Sequence, residues 1–99
     1  MEEANRRIEC WVNDGDVDKH LDLENLGLTS LPERLFELTN LKELYLGDND
    51  LTELPEHIGN LSSLKLLDLS DNNLTSLPES FGKLVNLLLY KFNSFKEES

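Results

Sequence analysis

The stretch LYLGDNDLTELPEHIGNLSSL, from Leu44 to Leu64, is rich in leucine, yet its leucines fit neither one helix face nor a simple alternating strand. The same pattern returns along the chain, in related segments that begin at Leu28, Leu51 and Leu74, with a period of 23 residues. A period of this length is typical of stacked repeat proteins, in which each unit contacts mainly its neighbours. The sequence therefore predicts a solenoid.

The first half of each unit has the pattern of a short strand followed by a turn. Leu44 and Leu46 alternate with Tyr45, which places the two leucines on one face and the tyrosine on the other. Asn49 follows where the chain turns, and Asn72 is its equivalent one unit later. Because asparagine bonds backbone groups in turns, we expect both side chains to be buried and bonded to neighbouring coils.

The second half of the unit forms a return path. Pro55 lacks an N–H and cannot continue a central strand, so it breaks the chain there. The short segment EHIGNL that follows is expected to form irregular or 3₁₀-like turns, with a bend at Gly59. One coil cannot bury its leucines alone. We therefore expect stacked coils to share a leucine column, with their strands paired in a parallel sheet.

Two segments carry a family resemblance. LKELYLGDNDLTELPEHIGNLSS and LKLLDLSDNNLTSLPESFGKLVN resemble the leucine-rich repeat pattern L-x-x-L-x-L-x-x-N-x-L-x-x-L-P, and the likeness extends over residues 21–96. The tail of each unit is similar to intracellular Ras-associated scaffold and suppressor proteins, whereas the start of the chain resembles microbial repeat proteins. Either resemblance implies an α/β fold: a short right-handed solenoid with the parallel sheet on its concave face, serving as a scaffold for protein interaction.

The N-terminal segment has the pattern of an amphipathic helix. Residues 2–13 place Ala4, Ile8, Trp11 and Val12 near one helix face. We interpret this helix as a cap over the first leucines, with Trp11 in the core. The alternative is a helix that binds a partner.

The chain divides into a cap with its linker, residues 1–20, and repeats with a diverged last coil, residues 21–99. In the last unit, Tyr90, Phe92 and Phe95 replace the pattern's Leu, Leu and Asn. Terminal repeats are expected to be atypical because they close an open core. Either Phe92 and Phe95 seal this coil, or an apolar end is left exposed and favours self-association.

The net charge of the chain limits the kind of partner that it can bind. The formal net charge is −11, from 9 Lys and Arg against 20 Asp and Glu. This balance argues against binding nucleic acid, which needs cations to neutralise phosphates, and against an anionic membrane surface. A partner with a basic surface is favoured. The resemblance also allows a small GTPase or signalling protein. The alternative is that the acidity only keeps a leucine-rich chain soluble.

Residues for catalysis are scarce. Cys10, His20 and His57 match no zinc-binding spacing. Asp48 and Asp71 occupy equivalent places one coil apart, but repetition alone stacks identical side chains. We expect no enzyme activity, no metal and no cofactor. The single cysteine and the lack of a long apolar run lead us to expect a cytoplasmic protein.

The repeat register predicts which side chains point outward from the sheet. The predicted protein-binding residues are Glu43, Tyr45, Asp48, Leu66, Asp68, Asp71, Leu89 and Lys91. An apolar patch with an aromatic residue, rimmed by acids, is typical of a protein-binding surface. We therefore predict a module that binds a protein partner through the concave face. The alternative is a structural or self-associating repeat unit, a fragment or an engineered chain, with no specific partner.

Overall fold

The computed structural model describes residues 2–14 and 20–91. Its helix and strands are α1 (Glu2–Asp14), β1 (His20–Asp22), β2 (Glu43–Tyr45), β3 (Leu66–Asp68) and β4 (Leu89–Lys91). Between successive strands lie three 3₁₀ helices, called here the first, second and third return helices: Glu33–Glu37, Glu56–Asn60 and Glu79–Lys83.

The four strands form one parallel sheet in the order β1-β2-β3-β4. Leu21, Leu44 and Leu67 are paired in register at the strand centres and are buried, so they form the inward leucine column. Tyr90 continues this column in β4. The predicted leucine-rich repeat solenoid, with its parallel sheet and N-terminal helix, is confirmed.

Two buried asparagines tie the coils together, as predicted. The Asn49 side chain accepts hydrogen bonds from the backbone N–H of Leu28 at 2.9 Å and donates to the carbonyl of Leu23 at 3.0 Å. The Asn72 side chain accepts from the N–H of Leu51 at 3.0 Å. Each amide thus satisfies backbone groups that the short strands leave without a partner in the sheet.

The return helices begin directly after Pro32, Pro55 and Pro78, each of which has extended backbone angles. Proline suits the position before a helix because its missing N–H would lack a helical partner there. Within the segment EHIGNL, Glu56–Asn60 form the second return helix and Leu61 caps it, which confirms the predicted 3₁₀ turn.

Gly59 allows the second and third return helices to approach closely. A Cβ atom at Gly59 would lie 2.9 Å from the carbonyl oxygen of Ser80. The Ser80 hydroxyl donates in turn to the carbonyl oxygen of Glu56 at 2.6 Å. The predicted bend is therefore also a point of contact between coils.

Helix α1 covers the N-terminal end of the core. Ala4 and Ile8 are fully buried, Trp11 packs partly buried against the core, and Val12 is 39% exposed. Helix α1 packs against β1 and the first return helix. It acts as the predicted cap, and the proposed division of the chain at residue 20 stays a prediction. No helix in residues 2–14 or 20–91 has the length and apolar character needed to cross a membrane.

The C-terminal coil is far less buried than the others. Its exposed large apolar side chains are Leu77, Val85, Leu88, Leu89 and Tyr90. The predicted seal by Phe92 and Phe95 lies outside the described residues.

Candidate binding face

The outward side chains of the four strands, together with the turns that follow them, form the concave face. The pairing register aligns Glu43, Leu66 and Leu89 on neighbouring strands. Glu43 and Leu66 are half-buried, and Leu89 is 49% exposed. The sheet therefore places the two predicted leucine contacts side by side, as the repeat register requires.

The Tyr45 side chain contacts two neighbouring side chains, those of Glu43 and His20. Its hydroxyl donates a hydrogen bond to the Glu43 carboxylate at 2.8 Å, and its ring stands nearly perpendicular to that of His20, with centroids 6.2 Å apart. The hydrogen bond to Glu43 raises the pKa of Tyr45, and partial burial and neighbouring carboxylates add to the shift. These contacts fix the aromatic ring on the face.

Asp68 is aligned with Tyr45 and Lys91 but is only 9% exposed. Its carboxylate accepts hydrogen bonds from the N–H of Ser70 at 3.0 Å and from the Ser70 hydroxyl at 2.5 Å. Asp68 therefore shapes the turn after β3 and offers little carboxylate surface to a partner. Lys91 is exposed.

Asp48 and Asp71 follow β2 and β3 in a left-handed backbone conformation that the repeat pattern did not predict. Their φ angles are 55° and 59°, and the equivalent Asn25 has a φ of 57°. Asparagine and aspartate tolerate this left-handed region better than other side chains with a Cβ. The recurrence of Asn or Asp every 23 residues was the available signal. Asp48 is exposed and Asp71 half-buried.

A recess at the N-terminal part of the face brings in residues that the predicted site did not include. Its volume is about 330 Å³, and it is lined by His20, Asp22, Glu24, Glu43 and Tyr45. His20 and Asp22 were recognisable as the first-coil equivalents of the predicted Glu43 and Tyr45. What the sequence did not reveal was that these side chains line a shared open recess.

Glu24 is a half-buried carboxylate of this recess. Partial burial raises its pKa above the ordinary value, and the charges of Asp22, Asp68 and Asp48 raise it further, while Lys91 lowers it. A nearby cation lowers the free-energy cost of the negative charge on Glu24. The electrostatic potential of the recess therefore favours positively charged groups.

The candidates for metal or thiol chemistry are divided between two sides of the molecule. Cys10 and His20 line a second recess, beside Trp11, whereas His57 packs against Phe36 on the return side. Among residues 2–14 and 20–91, no three or more His, Cys, Asp or Glu side chains form a group that could hold a metal ion. Repeat folds of this type are typically non-enzymatic.

Comparisons with known proteins identify the repeat family of the chain. A family model described as a leucine-rich repeat region matches residues 19–97. The solved structure of a leucine-rich repeat protein from Leptospira interrogans is similar to this chain at 26% identity, with a TM-score of 0.47. The match covers 88% of this chain but 34% of that protein, so this chain spans about a third of its length. No curated protein matches the chain.

Proposed function

Because the chain belongs to the leucine-rich repeat family, whose members generally mediate protein–protein interactions, we propose that it binds a protein partner through the concave face. The observation that carries this proposal is the neighbouring placement of Leu66, Leu89 and Tyr45, which keep accessible surface while the inward leucines of the same strands are buried. Apolar and aromatic side chains on an ordered sheet make good anchors because little conformational entropy is lost on binding.

The charges around these anchors favour a partner with a basic surface. Glu43, Asp48 and Asp71 lie on the same face, and the whole chain carries a net charge of −11. Lys91, which is exposed at the C-terminal end of the face, adds a cation that can pair with an acidic residue of the partner. A small GTPase or another signalling protein fits the family resemblance. The proposed compartment is the cytoplasm, where the exposed Cys10 thiol stays reduced.

Substitution on the face tests this function. Leu66→Asp places a charge among the anchors, whereas Val85→Asp makes the same type of change at a side chain 79% exposed and outside the strands. Proteins captured by the wild-type chain from cell extract should be lost with Leu66→Asp and retained with Val85→Asp, provided that circular dichroism shows both variants folded. Equal capture by both variants would overturn the proposal.

A second candidate function rests on the C-terminal coil. Leu88 is 80% exposed and lies next to β4, the last of the described strands, where Leu89 and Tyr90 are also exposed. Exposed apolar surface of this kind favours association between copies. In this case light scattering should show a mass that rises with concentration. Leu88→Asp should abolish that rise and Leu66→Asp should leave it; a constant monomer mass would argue against self-association.

A further inference from the structure

The recess lined by His20, Asp22, Glu24, Glu43 and Tyr45 combines an aromatic wall with three carboxylates in about 330 Å³. Cations bind well where carboxylates accept hydrogen bonds and an aromatic ring offers its face. The recess differs from an ordinary acidic surface because it is concave, because Tyr45 is fixed by its contacts with Glu43 and His20, and because its members come from two neighbouring coils.

Among the described residues no ion pair joins Asp22, Glu24 or Glu43 to a cation. Asp22 accepts a hydrogen bond from the N–H of Glu24 at 2.9 Å, and Glu43 accepts one from the Tyr45 hydroxyl at 2.8 Å. The ion pairs in this part of the chain join Arg6 and Arg7 to Glu3, and Arg34 to Glu9 and Glu37. The raised pKa of Glu24 agrees with this excess of negative charge, because Asp22, Asp68 and Asp48 all act on it and Lys91 offsets them only in part. A cation from outside would relieve this repulsion.

A second recess of about 320 Å³ adjoins the first and provides room for the chain that carries such a cation. It lies where α1 meets β1 and shares His20 and Asp22 with the first recess. Trp11 adds apolar surface to its lining, which also holds Arg6 and Arg7, both paired with Glu3. Arg7 also donates to the carbonyl oxygen of Asp22 at 2.9 Å. The two recesses therefore lie side by side, with His20 and Asp22 between them.

We propose that these two adjoining recesses bind an extended segment of the partner and that the acidic recess takes an arginine side chain from it. Arginine fits better than lysine because its planar guanidinium can bond two carboxylates while stacking on the Tyr45 ring. The inference rests on the proposed function and sharpens it. It moves the centre of recognition from the middle of the sheet toward α1 and the first two strands, and it names the chemistry of the partner.

Two short peptides test the recess directly on the full chain. The first is acetyl-Gly-Ala-Arg-Ala-Gly-amide; the second replaces arginine with citrulline, which keeps the shape and removes the charge. In NMR titrations of the ¹⁵N-labelled protein, the arginine peptide should shift resonances of residues 20–24 and 43–45. Its affinity should be about five-fold higher than that of the citrulline peptide. Equal affinities, or no shifts at these residues at millimolar peptide, would overturn the proposal.

Matched variants assign the effect to the recess. Glu24→Gln should weaken binding of the arginine peptide about five-fold, whereas Glu53→Gln, which removes the same charge from an exposed glutamate on the return path, should leave it unchanged. Equal weakening by both variants would show that the total charge of the protein, and not the recess, attracts the peptide.

Failure of this inference can be told apart from failure of the proposed function. A partner that is lost with Leu66→Asp but binds Glu24→Gln and Tyr45→Leu with unchanged affinity uses the concave face without the acidic recess. A partner that is indifferent to all three substitutions does not use the concave face.

Discussion

Gly59 and Ser80 lie in neighbouring coils at a distance that leaves no room for a Cβ atom. A methyl group at Gly59 would meet both the Cβ and the carbonyl oxygen of Ser80, at 2.8 Å and 2.9 Å. Since backbone must move to relieve such a clash, Gly59→Ala should lower the free energy of unfolding by about 1–3 kcal/mol, measured by urea denaturation. Gly82→Ala is the matched control, because no atom lies within 4 Å of its added Cβ. A similar loss in both variants would contradict this account.

The burial of some single residues could be predicted from the sequence, and the burial of others could not. The burial of Asn49 and Asn72 was predictable, because a turn that recurs in every coil needs the same backbone groups satisfied each time. The low exposure of Asp68 was not. Alternation along β3 places its side chain outward, but the following turn brings Ser70 back to donate two hydrogen bonds to the carboxylate. Local strand periodicity contains no information about that turn.

At the scale of elements, α1 closes the end of a core that would otherwise be open. Ile8 is fully buried, whereas Val12, one turn later on the same helix, is 39% exposed. Ile8→Ala should therefore cost about 2–4 kcal/mol in guanidinium unfolding, since it removes buried methyl groups and leaves a cavity. Val12→Ala should cost less than about 1 kcal/mol. Equal costs would mean that the cap contributes helix propensity alone and no packing to the core.

The strand register could be predicted in full from the period, because 23 residues return each strand to the same place in the next coil. His20, Glu43, Leu66 and Leu89 thus share one ladder, as the repeat spacing implies. The acidic recess could not be predicted in this way. Its shape depends on how far neighbouring side chains stand from one another across the sheet and on the position of α1, neither of which the repeat period specifies.

Across the whole molecule, the excess of negative charge affects Glu24 in two opposite ways: its carboxylate lowers the stability of the fold, and it also serves the proposed recognition of a cation. Its pKa in the folded chain is raised by burial and by Asp22, Asp68 and Asp48, so the folded state holds this proton more tightly than the unfolded state does. The contribution of Glu24 to stability is therefore fully present below its ordinary pKa of 4.5 and is lost as the pH rises through the raised value. At neutral pH its charge opposes folding.

Glu24→Gln removes that opposition. We expect this variant to melt at a higher temperature than the wild-type chain at pH 7, and the difference should disappear as the pH falls well below 4.5, where the glutamate is protonated in both states. Glu53→Gln, at an exposed position on the return path, is the control for the loss of one charge from the molecule. If both variants raise the melting temperature equally, general repulsion explains the gain. If Glu24→Gln alone does so and also weakens binding of the arginine peptide, the same carboxylate reduces stability and serves recognition.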